Sequence, residues 1–265
     1  MHPVRIGACG WSYPEWVGPF FPEGTPAGEF LARYAEHFDV VEVDSTFYRI
    51  PSRRMVQNWA DRTPESFGFA LKVPQVITHE KLLVECEGEV HAFTEAIRSL
   101  GPKLLCCCLQ FPYLNRTKVA GQADFLHRLD TFLGSWPREF PIAVEIRNKS
   151  WMNPKLADAL RRHQAVLVLT DQAWMPSPLS VMQSFDAVTG SFAYVRLLGN
   201  REEVEKLTQR FDHIVVDRSA NLAEDAEAIQ RLRERVPVLA FVNNHYAGFA
   251  PETIRQLRRA LGLPT

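Results

Sequence analysis

Glu145 and Arg147 stand two residues apart in AVEIR, so on a strand they share one face at about 7 Å spacing. Other ionisable and amide residues sit at the same kind of place, the downstream end of a short apolar run. Lys72 closes FALK, Gln110 closes LLCCCLQ, and Arg196 lies in YVRLL. Asp171 follows VLVLT, and Asn243, Asn244 and His245 follow VLAFV. Glu42 and Asp44 end VEVD, and His79 lies in the loop beyond Lys72. An isolated charge at the end of an apolar strand is costly to bury, so these groups pair, bind a ligand or reach water. As a ligand site, Arg147, Arg196 and Lys72 would hold a phosphate or carboxylate. Glu145 or Asp171 would act as general base or acid, with His79 and His245 as further proton-transfer groups. Asn243, Asn244 and Gln110 would orient the ligand, and Trp11, Tyr13 and Tyr48 would border it. As structure alone, Glu145, Arg147, Lys72, Asp171 and Arg196 would form a buried ion-pair network. Both readings stand on the sequence.

Metal and thiol chemistry have weaker signals. Glu42, Asp44, Glu145, Asp171 and the two histidines leave room for a divalent metal. No H-x-H, H-E-x-x-H or D-x-D occurs, and three cations compete for the same carboxylates. No metal ligands are therefore assigned and no cofactor is required. Cys9 ends a strand beside Gly10 with no visible activating partner, and reads as a buried thiol. Cys106, Cys107 and Cys108 fall in mid-strand and read as core filling.

The elements that must carry these groups alternate along the chain. Strand candidates are Val4–Cys9, Val40–Asp44, Gly68–Val73, Leu104–Phe111, Ile142–Ile146, Ala165–Thr170, Ser191–Leu197 and Val238–Val242. They are apolar almost throughout, as strands buried on both faces of a parallel sheet are. Between them lie helical stripes: Phe30, Leu31, Tyr34 and Phe38; Val56 and Trp59 behind a cap at Ser52; Phe93 and Ile97 before Gly101–Pro102. Further stripes run from Phe125 to Leu133, after Asn153–Pro154, from Leu222 to Leu232, and from Pro251 to Leu261. Eight such pairs predict a single (β/α)8 TIM-type barrel over residues 1–265. An open doubly wound sheet is the alternative. The absence of G-x-G-x-x-G after the first strand, and of a phosphate-binding G-x-x-x-x-G-K-[ST], weakens it. Two long segments, 10–28 and 171–190, follow strands and belong to the face where barrel sites lie. The aromatics of 10–28 predict that it packs over the mouth, with Trp11 and Tyr13 at the rim.

Composition bounds the function. Of 265 residues, 30 are Lys or Arg and 31 Asp or Glu, a net charge of -1. That balance argues against a general nucleic-acid coat protein. No apolar run approaches the ~18 residues of a membrane span, and the first residues lack a charged-then-apolar leader. Five cysteines, three of them consecutive, fit free thiols better than a disulfide frame. A cytoplasmic protein with no membrane partner is expected.

Seven segments resemble the YecE-like family, domain of unknown function 72. They are GACGWSYPEWVGPFFPEG at 7–24, VEVDSTFYRIPS at 41–52, FALKVPQVITHEKLL at 69–83, LLCCCLQFPY at 104–113, AVEIRNKSWM at 143–152, YVRLLGN at 194–200 and FVNNHYAGFAPE at 241–252. The resemblance runs in order from end to end and implies a TIM-type barrel. It implies no chemistry. It departs at Cys9, where Ser is common, at Asp44, where Asn is common, and at Cys106–Cys108. The leading expectation is an enzyme doing acid–base chemistry on a small anionic, phosphorylated or polyhydroxylated compound, with Glu145 as base. The alternatives are a nucleic-acid-processing, phosphodiesterase-like enzyme, with aromatics stacking bases, and a non-catalytic metabolite-binding protein.

Overall fold

A computed structural model describes residues 1–265. Eight parallel strands, β1 (Val4–Ala8), β2 (Val40–Val43), β3 (Gly68–Lys72), β4 (Leu104–Gln110), β5 (Ile142–Glu145), β6 (Val166–Gln172), β7 (Ala193–Gly199) and β8 (Val238–Val242), form one sheet. From β2 to β8 each pairs with its sequence neighbour, and β1 pairs with β8. The sheet is a nearly closed barrel, as the alternation predicts.

The last seam, between β1 and β2, is stitched differently. A single bridge joins Cys9 to Glu42. Between the strands below it, the Tyr34 hydroxyl accepts from the Ala8 N–H at 2.7 Å and donates to the Val40 carbonyl at 2.9 Å. Tyr34 is fully buried, so it stands in for a missing ladder bond. Gly7 allows this approach, because a Cβ there would sit 1.9 Å from the Val40 carbonyl oxygen. Tyr34→Phe orphans one buried N–H and one buried C=O, and the expected loss is about 2 kcal/mol of stability. Chemical denaturation measures it; a change within a few tenths would show that water or the backbone heals the seam.

Helices α1 (Phe30–Ala35), α2 (Ser45–Tyr48), α3 (Arg53–Asp61), α4 (Glu87–Ile97), α5 (Gln122–Ser135), α6 (Pro154–Arg162), α7 (Pro178–Ser184), α8 (Arg201–Leu207), α9 (Ser219–Leu232) and α10 (Ala250–Ala260) follow the strands. The sequence stop and start signals act as expected. Ser52 Oγ accepts from the Met55 N–H, Asn153 caps α6 ahead of Pro154, and Gly101 breaks the chain after α4 at φ 52°. The main core lies between sheet and helices, and a small second core fills the barrel itself. Cys106 and Cys108 point into the barrel and Cys107 out to the helices. All five cysteines are buried and free. No helix is long and apolar enough to cross a membrane.

Segment 10–28 departs in part from expectation. Tyr13 reaches the mouth as expected, but Trp11, Trp16, Phe20 and Phe21 fold onto the outer helices. Trp16 stacks on Tyr34, Phe21 on Phe30 and Phe20 on Phe38. Trp11 meets Trp59 of α3 edge-on. The α1 stripe offers an apolar surface that this segment covers, which removes more aromatic area from water than a polar mouth could.

Candidate functional site

A cavity of about 540 Å³ opens at the C-terminal ends of the strands. Its construction follows from strand parity. Along six of the strands the last interior residue is buried, and the next inward-facing one, two positions on, reaches the cavity. Glu42 leads to Asp44, Ala70 to Lys72, Cys108 to Gln110, Glu145 to Arg147, Thr170 to Gln172, and Phe241 to Asn243. Arg196 forms the floor. Asn244 and His245 come from the short turn Asn244–Tyr246 after β8, and Tyr13 from the first loop. Phe47 and Tyr48 of α2, Arg201 of α8, His79 and Phe211 complete the rim.

Beneath the floor lies a buried ion network. Arg196, only 2% exposed, donates Nη1 to Glu145 Oε2 and Nη2 to Glu42 Oε1, each at 2.5 Å. Tyr194 donates to the other Glu42 oxygen at 2.5 Å, and Arg147 Nε to the other Glu145 oxygen at 2.6 Å. Arg147 also reaches Gln172. Burial alone would raise the Glu145 pKa, but Arg147 and Arg196 outweigh it and hold the carboxyl at about 2. Glu42 goes the other way. Its burial raises it more than Arg196 lowers it, with Asp44 adding to the rise.

Arg196 Nη2 also settles the metal question for the closest ligand group. Cys9, Glu42 and Asp44 offer donor atoms within 4.8 Å of one another. The same guanidinium nitrogen contacts all three, at 2.5 Å to Glu42, 3.7 Å to Asp44 and 3.9 Å to Cys9. A protein cation thus holds the position that a metal would take, and the donor set does not fit a metal beside it. Burial and the neighbouring Glu42 push the Cys9 thiol well up, which disfavours the thiolate a nucleophile needs.

The rim groups differ in state. Burial first, then Lys72, Lys118 and Arg147, lower the His79 pKa to about 4, so the ring is neutral at neutral pH. Its Nδ1 lies 2.8 Å from Thr78 Oγ1 and its ring meets Phe47 edge-on. His79 sits on a π-helical turn, Val76–Glu80, followed by three residues at positive φ, Leu82, Leu83 and Glu85. Only Gln164 shares that conformation among the other non-glycine residues, so backbone strain concentrates in the loop that places His79. His245 is lowered by burial and Arg201, and is held between Asn243 at 2.8 Å and Glu205 at 3.2 Å. Lys72 Nζ lies 3.5 Å from Asp44 and 4.4 Å above the Phe47 ring. Of the six buried side-chain polar atoms without a hydrogen-bond partner, three belong to residues of this cavity: Asp44 Oδ1, Arg196 Nε and Asn244 Nδ2. Folding alone has no reason to gather such costs in one place.

Ten residues expected at the site line this cavity: His79, His245, Lys72, Arg147, Arg196, Asn243, Asn244, Gln110, Tyr13 and Tyr48. Glu145 lies one tier below it with both oxygens bound to arginines. Asp171 faces outward, against Asp225 of α9 and Tyr246. Alternation along β6 puts Val166, Val168, Thr170 and Gln172 inside the barrel and Leu167, Leu169 and Asp171 outside it, so Gln172 enters the cavity instead. Trp11 lies beside the cavity, not in it. Asp44, Gln172, Arg201 and Phe211 line it without having been assigned to it. Parity two residues beyond Glu42 marks Asp44; nothing local marks Arg201 or Phe211.

A family model described as "Protein of unknown function DUF72" matches residues 5–265. The UPF0759 protein YecE of Escherichia coli K12 is 32% identical over 145 residues, 55% of this chain and 48% of that protein. The UPF0759 protein YunF of Bacillus subtilis is 28% identical over 180 residues, 66% of this chain and 59% of that protein. These matches thus span about half the length of the curated relatives. A DUF72 family crystal structure from Thermotoga maritima covers 98% of this chain and 100% of its own, at 27% identity and a TM-score of 0.78. A D-psicose 3-epimerase crystal structure shares the fold alone, at 8% identity and a TM-score of 0.54, covering 97% of each chain.

Proposed function

The chain belongs to the DUF72 family, whose description assigns no chemistry, and we propose from the cavity itself that it binds a small polyhydroxylated compound carrying at most one negative charge and catalyses proton transfer on it. The observation that carries this is the charge balance. Lys72, Arg147, Arg196 and Arg201 line the cavity, and Asp44, Glu42, Glu145 and Glu205 pair with them. The set is neutral when all are ionised. A proton on Glu42, whose pKa is raised, leaves one positive charge. A dianionic phosphate would find too little uncompensated charge, and a nucleic-acid strand still less. The folding of the Trp16 aromatics onto α1 also takes away the stacking platform of the nucleic-acid reading. Four amides, Gln110, Gln172, Asn243 and Asn244, can both donate to and accept from hydroxyl groups. Tyr13, Phe47, Tyr48 and Phe211 offer apolar faces, and about 540 Å³ suits a sugar-sized ligand.

The proton acceptor in this reading is Asp44, the one carboxylate on the cavity wall. It replaces Glu145, whose oxygens are both occupied. Lys72 beside it stabilises developing negative charge, and neutral His79 supplies a second polar group at the rim. A thermal-shift panel tests the reading with D-gluconate, D-glucitol, D-glucose 6-phosphate and an oligothymidylate. D-gluconate should stabilise most and D-glucitol less, because a ligand bound to the native state raises the melting temperature by mass action. Stabilisation by the phosphate or the oligonucleotide in preference, or by none of the four, overturns it.

A further inference from the structure

Asp171 was expected in the cavity, and its actual setting has a different use. Its carboxyl lies in the layer between sheet and helices, against the Asp225 carboxyl and the Tyr246 hydroxyl. Asp225 is 1% exposed and Tyr246 fully buried, and the Tyr246 hydroxyl donates to Asp225 Oδ2 at 3.0 Å. Neither aspartate has a salt-bridge partner. The one cation nearby is Arg218, which leads into α9. Its Nε donates to the Tyr246 carbonyl at 3.1 Å and its Nη2 is taken by Glu203. Glu224 of α9 faces the pair as a third carboxylate and accepts from Ser177. With the Asp225 carboxyl buried, Asp171 half-buried beside it and neither paired to a cation, one proton between them is favoured over two charges.

The cluster joins three elements that each feed the cavity. Gln172 follows Asp171 and holds Arg147. His245 precedes Tyr246 in the turn after β8. Gly199, at the end of β7 with φ 64°, is pressed against that turn, where a Cβ would lie 2.6 Å from the Tyr246 Cα. Any displacement of Tyr246 therefore moves His245 directly.

We propose that Asp171 and Asp225 share one proton and, with the Tyr246 hydroxyl, act as positioning residues that fix the His245 turn and Gln172 at the cavity. Burial and each other's charge raise both carboxyls, in keeping with that arrangement. The functional consequence rests on the cavity being the binding site; the latch itself does not.

Asp225→Asn keeps the shape and makes one partner permanently neutral. Two readouts apply, the melting temperature across pH and the backbone amide resonances of His245 and Tyr246. Raised carboxyls contribute stability at low pH that is lost as pH rises through their folded values. The wild type should lose several degrees over that rise, and the two amide resonances should move with the same midpoint. In Asp225→Asn both responses should flatten. Parallel profiles in wild type and variant, or resonances that stay still while the melting temperature falls, overturn the proposal. If Asp225→Asn does not fold, Asp171→Asn places the neutral amide on the other side. Failure of both to fold counts against a shared proton, because a neutral isostere should then fit. Neither readout uses a ligand, so a failed ligand panel and a failed latch are told apart.

Discussion

Arg196→Met should cost about 3–5 kcal/mol, the usual penalty for leaving a buried charge without its partner. The guanidinium is 2% exposed and bonds Glu145 and Glu42 at 2.5 Å each. Methionine fills similar volume, so packing loss is small and the two facing carboxylates dominate. Against a total stability of about 5–15 kcal/mol, the loss is a large share of what keeps the barrel folded. Its pH dependence carries a definite sign. In the wild type Glu145 is lowered from 4.5 to about 2, so its contribution is present above pH 4.5 and fades as pH falls toward 2. In the variant, protonating the orphaned carboxyls relieves them. The deficit against wild type should therefore shrink as pH falls through that window. Urea denaturation at several pH values measures both. A deficit below 1 kcal/mol at pH 7 would mean that water enters the network. Adding Glu42→Gln and Glu145→Gln to Arg196→Met should recover much of the loss, since a whole ion network can be replaced at little cost.

Of the ion-pair network expected from the sequence, Glu145, Arg147 and Arg196 are together, Glu42 and Tyr194 join them, Asp171 does not, and the depth was not legible. Glu145 and Arg147 share a face, as their spacing requires. Nothing in the spacing says that the cavity floor passes between them, because depth is set by which strands rise highest and by Arg196 reaching across the barrel. The strand ends were legible because near-continuous apolar runs stop where charges begin. Lys72, Gln110, Arg147 and Asn243 followed from that alone. Asp171 failed for a local reason. The strand runs on to Gln172, two residues past the expected end at Thr170, so alternation gives the inward position to Gln172 and leaves Asp171 on the outer face. The aromatic loop failed for a different one. Trp16, Phe20 and Phe21 demand burial, but composition does not say whether a mouth or a helix provides it. Arg201 and Phe211 arrive from the excursion after β7, where no periodicity ties residue to position.

Asp44→Asn should leave folding and ligand affinity close to wild type and lower turnover about a hundredfold or more, the usual worth of a general base. The stability half follows from its setting. Asp44 is a third exposed, meets Lys72 at 3.5 Å and Arg196 at 3.7 Å, and its Oδ1 makes no hydrogen bond. Both contacts are long, and without them Arg196 keeps Glu42 and Glu145 as nearer anions while Lys72 keeps the Phe47 ring. The catalytic half follows from what else could take a proton on the cavity wall. Glu42 and Glu145 are held beneath the floor, His79 at about 4 is a weak base, both His245 ring nitrogens are engaged by Asn243 and Glu205, and the remaining charged groups there are cations. Product formation from whichever ligand stabilises the protein gives kcat and KM for both forms. A large fall in kcat with KM unchanged assigns the proton transfer to Asp44. A raised KM with kcat retained would make Asp44 a binding group only, and the base would have to be sought elsewhere. Glu145→Gln supplies the contrast, because it leaves Arg196 and Arg147 without a shared anion and should fail first in stability. If Glu145→Gln instead folds like wild type and loses turnover while Asp44→Asn keeps it, the assignment of the base to Asp44 is wrong.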